Sequence, residues 1–198
     1  MFVQVIRGKA KNADAILAAG EKWQKELKPG AKGYLGSTLG ITDDGTMVTI
    51  VRFESEAAAN ANSERPEQGK WFEENIAANV DEISFFNCPT VDTFLGGGSD
   101  DAGFVQVMVY KPSDVDSIRA LAKEFENVAA DRPDILGGVM AISTDGTVID
   151  TNYFRSEKEA RENESKEMSP EMQKTMQRLG ELAGKIEFLD LRDPVLNS

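Results

Sequence analysis

The chain has 198 residues and a formal net charge of -12, with no histidine and a single cysteine. So acidic a surface offers no cationic face to nucleic acid or to an anionic membrane, and a chain without imidazole has no Ser-His or Cys-His nucleophile, no histidine-ligated haem and few routes to a zinc hydrolase site. Cys88 cannot close an internal disulfide, no run is apolar enough to span a bilayer, and a strand pattern starts at once where a leader would lie, so a cytoplasmic protein is expected.

The dominant feature is an internal repeat. Phe2-Val3-Gln4-Val5 returns as Phe104-Val105-Gln106-Val107, Asp44-Gly45-Thr46 as Asp145-Gly146-Thr147, and Phe53-Glu54-Ser55-Glu56 as Phe154-Arg155-Ser156-Glu157. The offset stays between about 101 and 104 residues, so the duplication spans nearly the whole chain. Residues 1–95 form one half and residues 104–198 the other. Between them Gly96-Gly97-Gly98-Ser99-Asp100-Asp101-Ala102-Gly103 reads as a flexible linker. No Gly-Lys-Ser/Thr follows those glycines, and the acidic pair would repel a phosphate.

In the first half, Phe2 to Arg7 has strand composition. Asn12 can cap a helix on which Ile16, Ala19, Trp23 and Leu27 recur at helical spacing, and Pro29-Gly30 ends it. Tyr34 to Ile41 and Thr46 to Phe53 flank a hairpin turn at Asp43-Asp44-Gly45. A helix starts at Ser55 and restarts near Pro66, with Phe72, Ile76, Val80 and Ile83 on one face. Ile83 to Cys88 closes the half as a strand.

The second half follows the same order. Ser113 is placed to cap a helix striped by Ile118, Leu121, Phe125 and Val128. Ile135 to Ser143 and Thr147 to Phe154 are strands around Asp145-Gly146. Ser156 and Glu159 form a capping box, and Ser169-Pro170 restarts the helix with serine at the cap and proline in the first turn. Met172, Met176, Leu179 and Ala183 share a face, a pattern expected of core filler. Lys185 to Leu191 is the last strand.

Each half therefore reads β-α-β-β-α-β, a ferredoxin-like unit with an antiparallel sheet and helices on one face. The strands are apolar on both sides, with Val48 and Ile50 alternating with Met47, Val51 and Phe53. A sheet covered by helices on one side only should be polar on the other. The expected fold class is α+β, with tandem ferredoxin-like repeats whose free faces join in an intrachain barrel.

The segments after the third strand carry a resemblance. Phe53-Glu54-Ser55-Glu56-Ala57-Ala58-Ala59-Asn60-Ala61-Asn62, then Pro66-Glu67-Gln68, then Trp71-Phe72, resemble the antibiotic biosynthesis monooxygenase (ABM) type of the dimeric α+β barrel superfamily, here with two units fused in tandem. That type commonly shows two histidines in this region. Asn62 and Asn163 stand at the first of those places, and Gln68 and Met172 at the second. Some members of the superfamily oxidise aromatic polyketides without metal or flavin, others degrade haem, and many have no known activity. The resemblance implies an apolar pocket between sheet and helices, with no cofactor required and no metal expected.

The ligand-binding candidates are Asn62, Trp71 and Gln4 in the first half and Asn163 and Tyr153 in the second. An amide or phenol can donate to a developing oxyanion, and an indole can wall a flat ligand. Packing explains the same residues as readily: Trp23 pairs by repeat with Phe125, the asparagines sit before proline breaks, and Gln4 and Gln106 can bond across the sheets or point into a pocket. Asp150 and Asn152 stand where the first half has Thr49 and Val51, and Glu187 where it has Ser84. Asp150 and Glu187 read either as paired carboxylates for acid-base work or as solvated strand ends. No catalytic residue follows from these patterns. Three functions stay open: a binder of a small apolar or aromatic molecule, a cofactor-independent monooxygenase on a phenolic or polyketide-like substrate, and a structural subunit, with a homo-oligomer as a further option. One usable pocket is expected, in the first half.

Overall fold

A computed structural model describes residues 1–128 and 132–197. The chain divides into two compact units, residues 1–90 with 191–198 and residues 91–190. The architecture is α+β, two ferredoxin-like units in tandem.

The first unit contains β1 (Phe2–Ala10), α1 (Ala13–Glu26), β2 (Tyr34–Ile41), β3 (Thr46–Phe53), α2 (Glu56–Ser63), α3 (Pro66–Phe72) and β4 (Val80–Cys88). Asn12 Oδ1 accepts from the Ala15 amide and Ser55 Oγ from the Ala58 amide, so both expected helix starts are built on their side-chain caps. A wide π turn over Glu73–Ala77 carries the chain from α3 into β4, so Val80 and Ile83, expected on the helix face with Phe72 and Ile76, are strand residues instead. The second unit follows with β5 (Thr90–Phe94), β6 (Phe104–Tyr110), α4 (Val115–Val128), β7 (Ile135–Ile142), β8 (Val148–Phe154), α5 (Glu157–Glu164), α6 (Pro170–Ala183) and β9 (Glu187–Arg192). Ser156 and Ser169 cap α5 and α6 as expected. Ser113 does not cap α4. Asp114, next to the helix, accepts from the Asp116 amide, while the Ser113 hydroxyl donates to the Leu182 carbonyl. The side chain of Val128, expected in the buried stripe of α4, lies outside the described residues.

Both sheets have the antiparallel order that a ferredoxin-like unit requires, and each carries one strand more than expected. The orders are β10-β2-β3-β1-β4 and β5-β7-β8-β6-β9, where β10 is Val195–Asn197. The chain after Cys88 joins the second sheet as β5, and the chain after Arg192 returns to the first as β10. The compact units therefore depart from the boundaries at residues 95 and 104 that the repeat suggests. A proline precedes each added strand, Pro89 before β5 and Pro194 one residue before Val195, which stops the preceding strand without preventing a new one.

The expected linker is partly built into the second unit. A Cβ placed on Gly137 in β7 would lie 2.1 Å from the Gly97 carbonyl oxygen, so the two backbones touch where no side chain fits. Gly137→Ala is expected to lose about 2–3 kcal/mol, roughly 5–10 °C in Tm, because a backbone atom cannot step aside. Gly180→Ala, on an open face of α6 with nothing within 4 Å, should instead hold or gain stability in the same thermal melt.

The two faces of each sheet separate by residue parity. On the helix side of the first, Ile16, Leu39, Met47, Ile76 and Val80 form one cluster. On the opposite side Val3, Val5, Val48 and Ile50 are also buried, so neither face is left to water. In the second unit Tyr110, Ile118, Met140, Val148 and Ala183 make the matching cluster.

Candidate functional site

The helix side of each sheet carries a partly open cavity, lined by strand residues from below and helix residues from above. The first unit's cavity has a volume of about 280 Å³ and the second unit's about 520 Å³. A single usable pocket, in the first half, was expected; among the described residues each unit has a cavity, and of this pair the larger lies in the second unit. In the second unit the strands carry Asp150 and Asn152 where the first has Thr49 and Val51, and α6 offers methionines where α3 offers Trp71. Five of the chain's seven methionines line the larger cavity: Met108, Met140, Met168, Met172 and Met176. The stripe read as core filler is in large part a cavity wall. Unbranched, polarizable side chains of this kind accommodate a ligand of irregular outline.

The four positions that carry the resemblance all reach a cavity. Asn62 and Gln68 line the first, Asn163 and Met172 the second. Their polar groups are largely engaged within the protein. Asn62 is buried and its Oδ1 accepts from Arg65 Nη1 at 2.8 Å. Gln68 Oε1 accepts from Trp23 Nε1 at 2.7 Å. Asn163 Nδ2 donates to the Glu159 carbonyl and its Oδ1 accepts from Lys166. Gln4 lines the first cavity and donates to Asn87 Oδ1 on the neighbouring strand at 3.0 Å. Its counterpart Gln106 lines the second and donates to Asp190 Oδ1 at 2.9 Å. Both glutamines thus bond along their own sheet.

Trp71 lines the first cavity, and its buried Nε1 has no hydrogen-bond partner among the described residues. Tyr153 lines neither cavity. Asn152 and Phe154 on the same strand face the second cavity, so by alternation Tyr153 sits on the opposite face, where it is 1 % exposed. Asp150 and Glu187 do not meet either. Asp150 is buried on the cavity side of β8, whereas Glu187 is exposed on β9 between the cavity-lining Ile186 and Phe188.

Asp150 is not a solvated strand end. It is 9 % exposed, Oδ1 has no partner among the described residues, and burial pushes its carboxyl up to about pH 7. Tyr110, on the adjacent strand, is in the same condition. Its hydroxyl is buried without a partner, and burial together with the nearby Asp150 raises its pKa well above the usual tyrosine range. Met108 is the register partner of Asp150 and Val148 that of Tyr110, which makes Tyr110 and Asp150 diagonal neighbours on one face.

Asp190, the other aspartate on the cavity wall, is fully matched. Arg161 Nη2 donates to its Oδ2 and Gln106 to its Oδ1. The same guanidinium bonds Glu164 and lies 5.3 Å over the Phe104 ring. Arg132 is held by both oxygens of the buried Asp134. Among the described residues lining the cavity the charges are paired, except at Asp150. The rim of each cavity carries a half-exposed aromatic, Phe85 in the first unit and Phe188 in the second.

Nothing in the sequence marks Asp150 and Tyr110 as a pair. The available signal was divergence between repeats: Thr49 and Gly8 occupy the equivalent places in the first unit. A Cβ at Gly8 would come 2.7 Å from the Asp81 carbonyl oxygen, so no tyrosine could stand there. Among the described residues no group of three or more His, Cys, Asp or Glu is arranged to hold a metal ion, and no helix is long and apolar enough to cross a membrane.

No family model and no curated protein sequence matches the chain. Its fold is nevertheless shared with solved proteins over nearly the full length. A candidate monooxygenase from Fusobacterium nucleatum aligns at a TM-score of 0.80 and 9% identity, covering 100% of this chain and 94% of that one. A candidate monooxygenase from Lactobacillus acidophilus aligns at a TM-score of 0.74 and 14% identity, covering 98% and 95%. An anthrone oxidase-like protein aligns at 0.67 and 10% identity, covering 100% and 92%. The chain shares its α+β, ferredoxin-like fold with these proteins. At these identities the likeness is one of fold.

Proposed function

We propose that this protein binds a small, flat, largely apolar molecule in the second-unit cavity, between sheet and helices. The supporting observation is the cavity itself: about 520 Å³, its wall mostly apolar and rich in methionine and aromatic side chains, with the arginines among its polar groups already held by carboxylates. The first-unit cavity is little more than half that volume, and its polar atoms are mostly bonded to one another. The reading takes the protein as cytoplasmic, in keeping with a lone, buried Cys88.

Met172→Trp tests the assignment by filling the cavity from α6. Binding of 7-methoxycoumarin, a neutral two-ring probe, is expected to weaken at least tenfold, whereas Trp71→Phe in the first unit should leave it within twofold. Loss in Trp71→Phe with Met172→Trp unaffected, measured by fluorescence titration, would move the site to the first unit.

A second reading, cofactor-independent monooxygenation, is favoured by the unpartnered carboxylate in this apolar space. A base there can take a proton from an anthrone-like carbon acid. The enolate then passes electrons to dioxygen; one oxygen atom becomes the product carbonyl and the other leaves as water. The names of the neighbours, two candidate monooxygenases and one anthrone oxidase-like protein, point the same way. Oxygen uptake with anthrone, lost in Asp150→Asn, supports this reading; uptake no faster than in buffer leaves the protein as a binder.

A further inference from the structure

We infer that Asp150 and Tyr110 form a two-point anchor for a ligand hydroxyl, so that the second-unit cavity selects phenols and enols over apolar molecules of equal shape. The inference rests on the proposed use of that cavity and adds to it the group that is recognised. Two buried polar atoms in one wall, the Asp150 Oδ1 and the Tyr110 hydroxyl, have no partner among the described residues. A buried polar atom without a partner is costly, and it persists where something else supplies the bond.

The pair is also local to this cavity. In the first unit the corresponding positions are Thr49 and Gly8, and Gly8 has no room for a side chain. The other acid on the wall, Asp190, has both oxygens engaged by Arg161 and Gln106 and offers nothing comparable. The ligand group must therefore satisfy an acceptor and a phenolic O–H lying diagonally on neighbouring strands. A hydroxyl does both through one oxygen, donating its hydrogen to Asp150 and accepting from Tyr110. An ammonium group only donates, which would leave the tyrosine hydrogen unused in a wall of methionines.

The same geometry moves a proton. As the ligand O–H bond breaks, a new O–H bond forms on the Asp150 carboxylate, and the negative charge passes to the ligand oxygen. Tyr110 donates to the oxygen that gains the charge. No oxidant or reductant takes part. The titratable and charged groups facing this place are Tyr110 on β6, Arg161 and Glu164 on α5, Asp190 on β9, and Arg132 before β7; α4, α6, β5 and β7 present none among the described lining residues. Arg161 and Arg132 are already held by carboxylates, so Asp150 is the group left to answer a proton.

The test compares 7-hydroxycoumarin with 7-methoxycoumarin on the full chain at pH 7.2, where about half of Asp150 is ionised and the free hydroxy probe is still mostly neutral. The wild type is expected to bind the hydroxy probe at least tenfold more tightly and to develop its phenolate absorption on binding. Asp150→Asn, which keeps shape and volume, should bind the methoxy probe within twofold of wild type and lose both the preference and the phenolate band. Tyr110→Phe should keep part of the preference and lose the band. Equal wild-type affinity for the two probes, or a band that survives Asp150→Asn, overturns the anchor while leaving the cavity reading intact. Binding of neither probe, or binding untouched by Met172→Trp, overturns both.

Discussion

Stability of the wild-type protein should fall as pH rises from about 4 to about 7, and Asp150→Asn should remove most of that slope. The Asp150 carboxyl is pushed from 3.8 to about 7 by burial. Between those values the folded state keeps a proton that the unfolded chain has released, so raising the pH in that window favours unfolding, and the effect levels off above it. The full span corresponds to a destabilisation on the order of 4 kcal/mol at neutral pH. Few single groups act on this scale, because most ionised side chains here are solvated or paired. Asp92, beside Arg119, and Asp114, bonded to Ser117, are held below the usual carboxylate range. They act with the opposite sign and at lower pH, losing stability as the pH drops below about 4. Denaturant unfolding at a series of pH values separates the two contributions. Parallel wild-type and Asp150→Asn curves between pH 4 and 8 would show that Asp150 is not a buried carboxylate.

Deleting residues 193–198 is expected to cost about 3–5 kcal/mol, or roughly 10–15 °C in Tm. The loss is large for so short a piece because β10 covers an edge and a core at once. Its three residues pair with Leu39, Thr38 and Ser37 of β2. Val195 packs on the cluster around Ile16 and Leu39, Asn197 accepts from Lys28 at 2.5 Å, and the Leu196 carbonyl accepts from Gln24. Without it β2 becomes an open, half-apolar edge, the kind of edge that invites association. Leu191→Ala should add a separate loss of about 3 kcal/mol, since Leu191 is fully buried against the bare backbone of Gly40. A thermal melt of the shortened chain within two or three degrees of the full one would contradict this placement of β10. The same connection bears on residues 1–95 expressed alone: that fragment lacks the strand that closes its own sheet and carries one that belongs to the other unit.

The repeat made the α+β class, the β-α-β-β-α-β order along each half and most helix caps legible, because caps and turn residues act locally. Asn12, Ser55, Ser156 and Ser169 stand at helix starts for reasons contained within three residues of each. What stayed hidden depended on long-range register. Whether Asp150 faces water or a cavity depends on the parity of β8 against its helices, and a shift of one residue would have exchanged it with Ile149 or Thr151. Tyr153 was misplaced for the same reason. The edge strands β5 and β10 escaped notice because five and three residues beside a proline carry almost no periodic signal. The Met stripe on α6 was visible, but a wall and a core have one composition. Only the space beyond the side chains distinguishes them.

A crystal structure of the full chain soaked with 7-hydroxycoumarin tests the account most directly. The account predicts the two rings among Met108, Met140 and Met172, with the probe's hydroxyl oxygen within hydrogen-bond distance of both Asp150 and the Tyr110 hydroxyl. A probe lodged in the first-unit cavity, or one in the second whose hydroxyl turns to the rim at Phe188 while Asp150 holds only water, would contradict it.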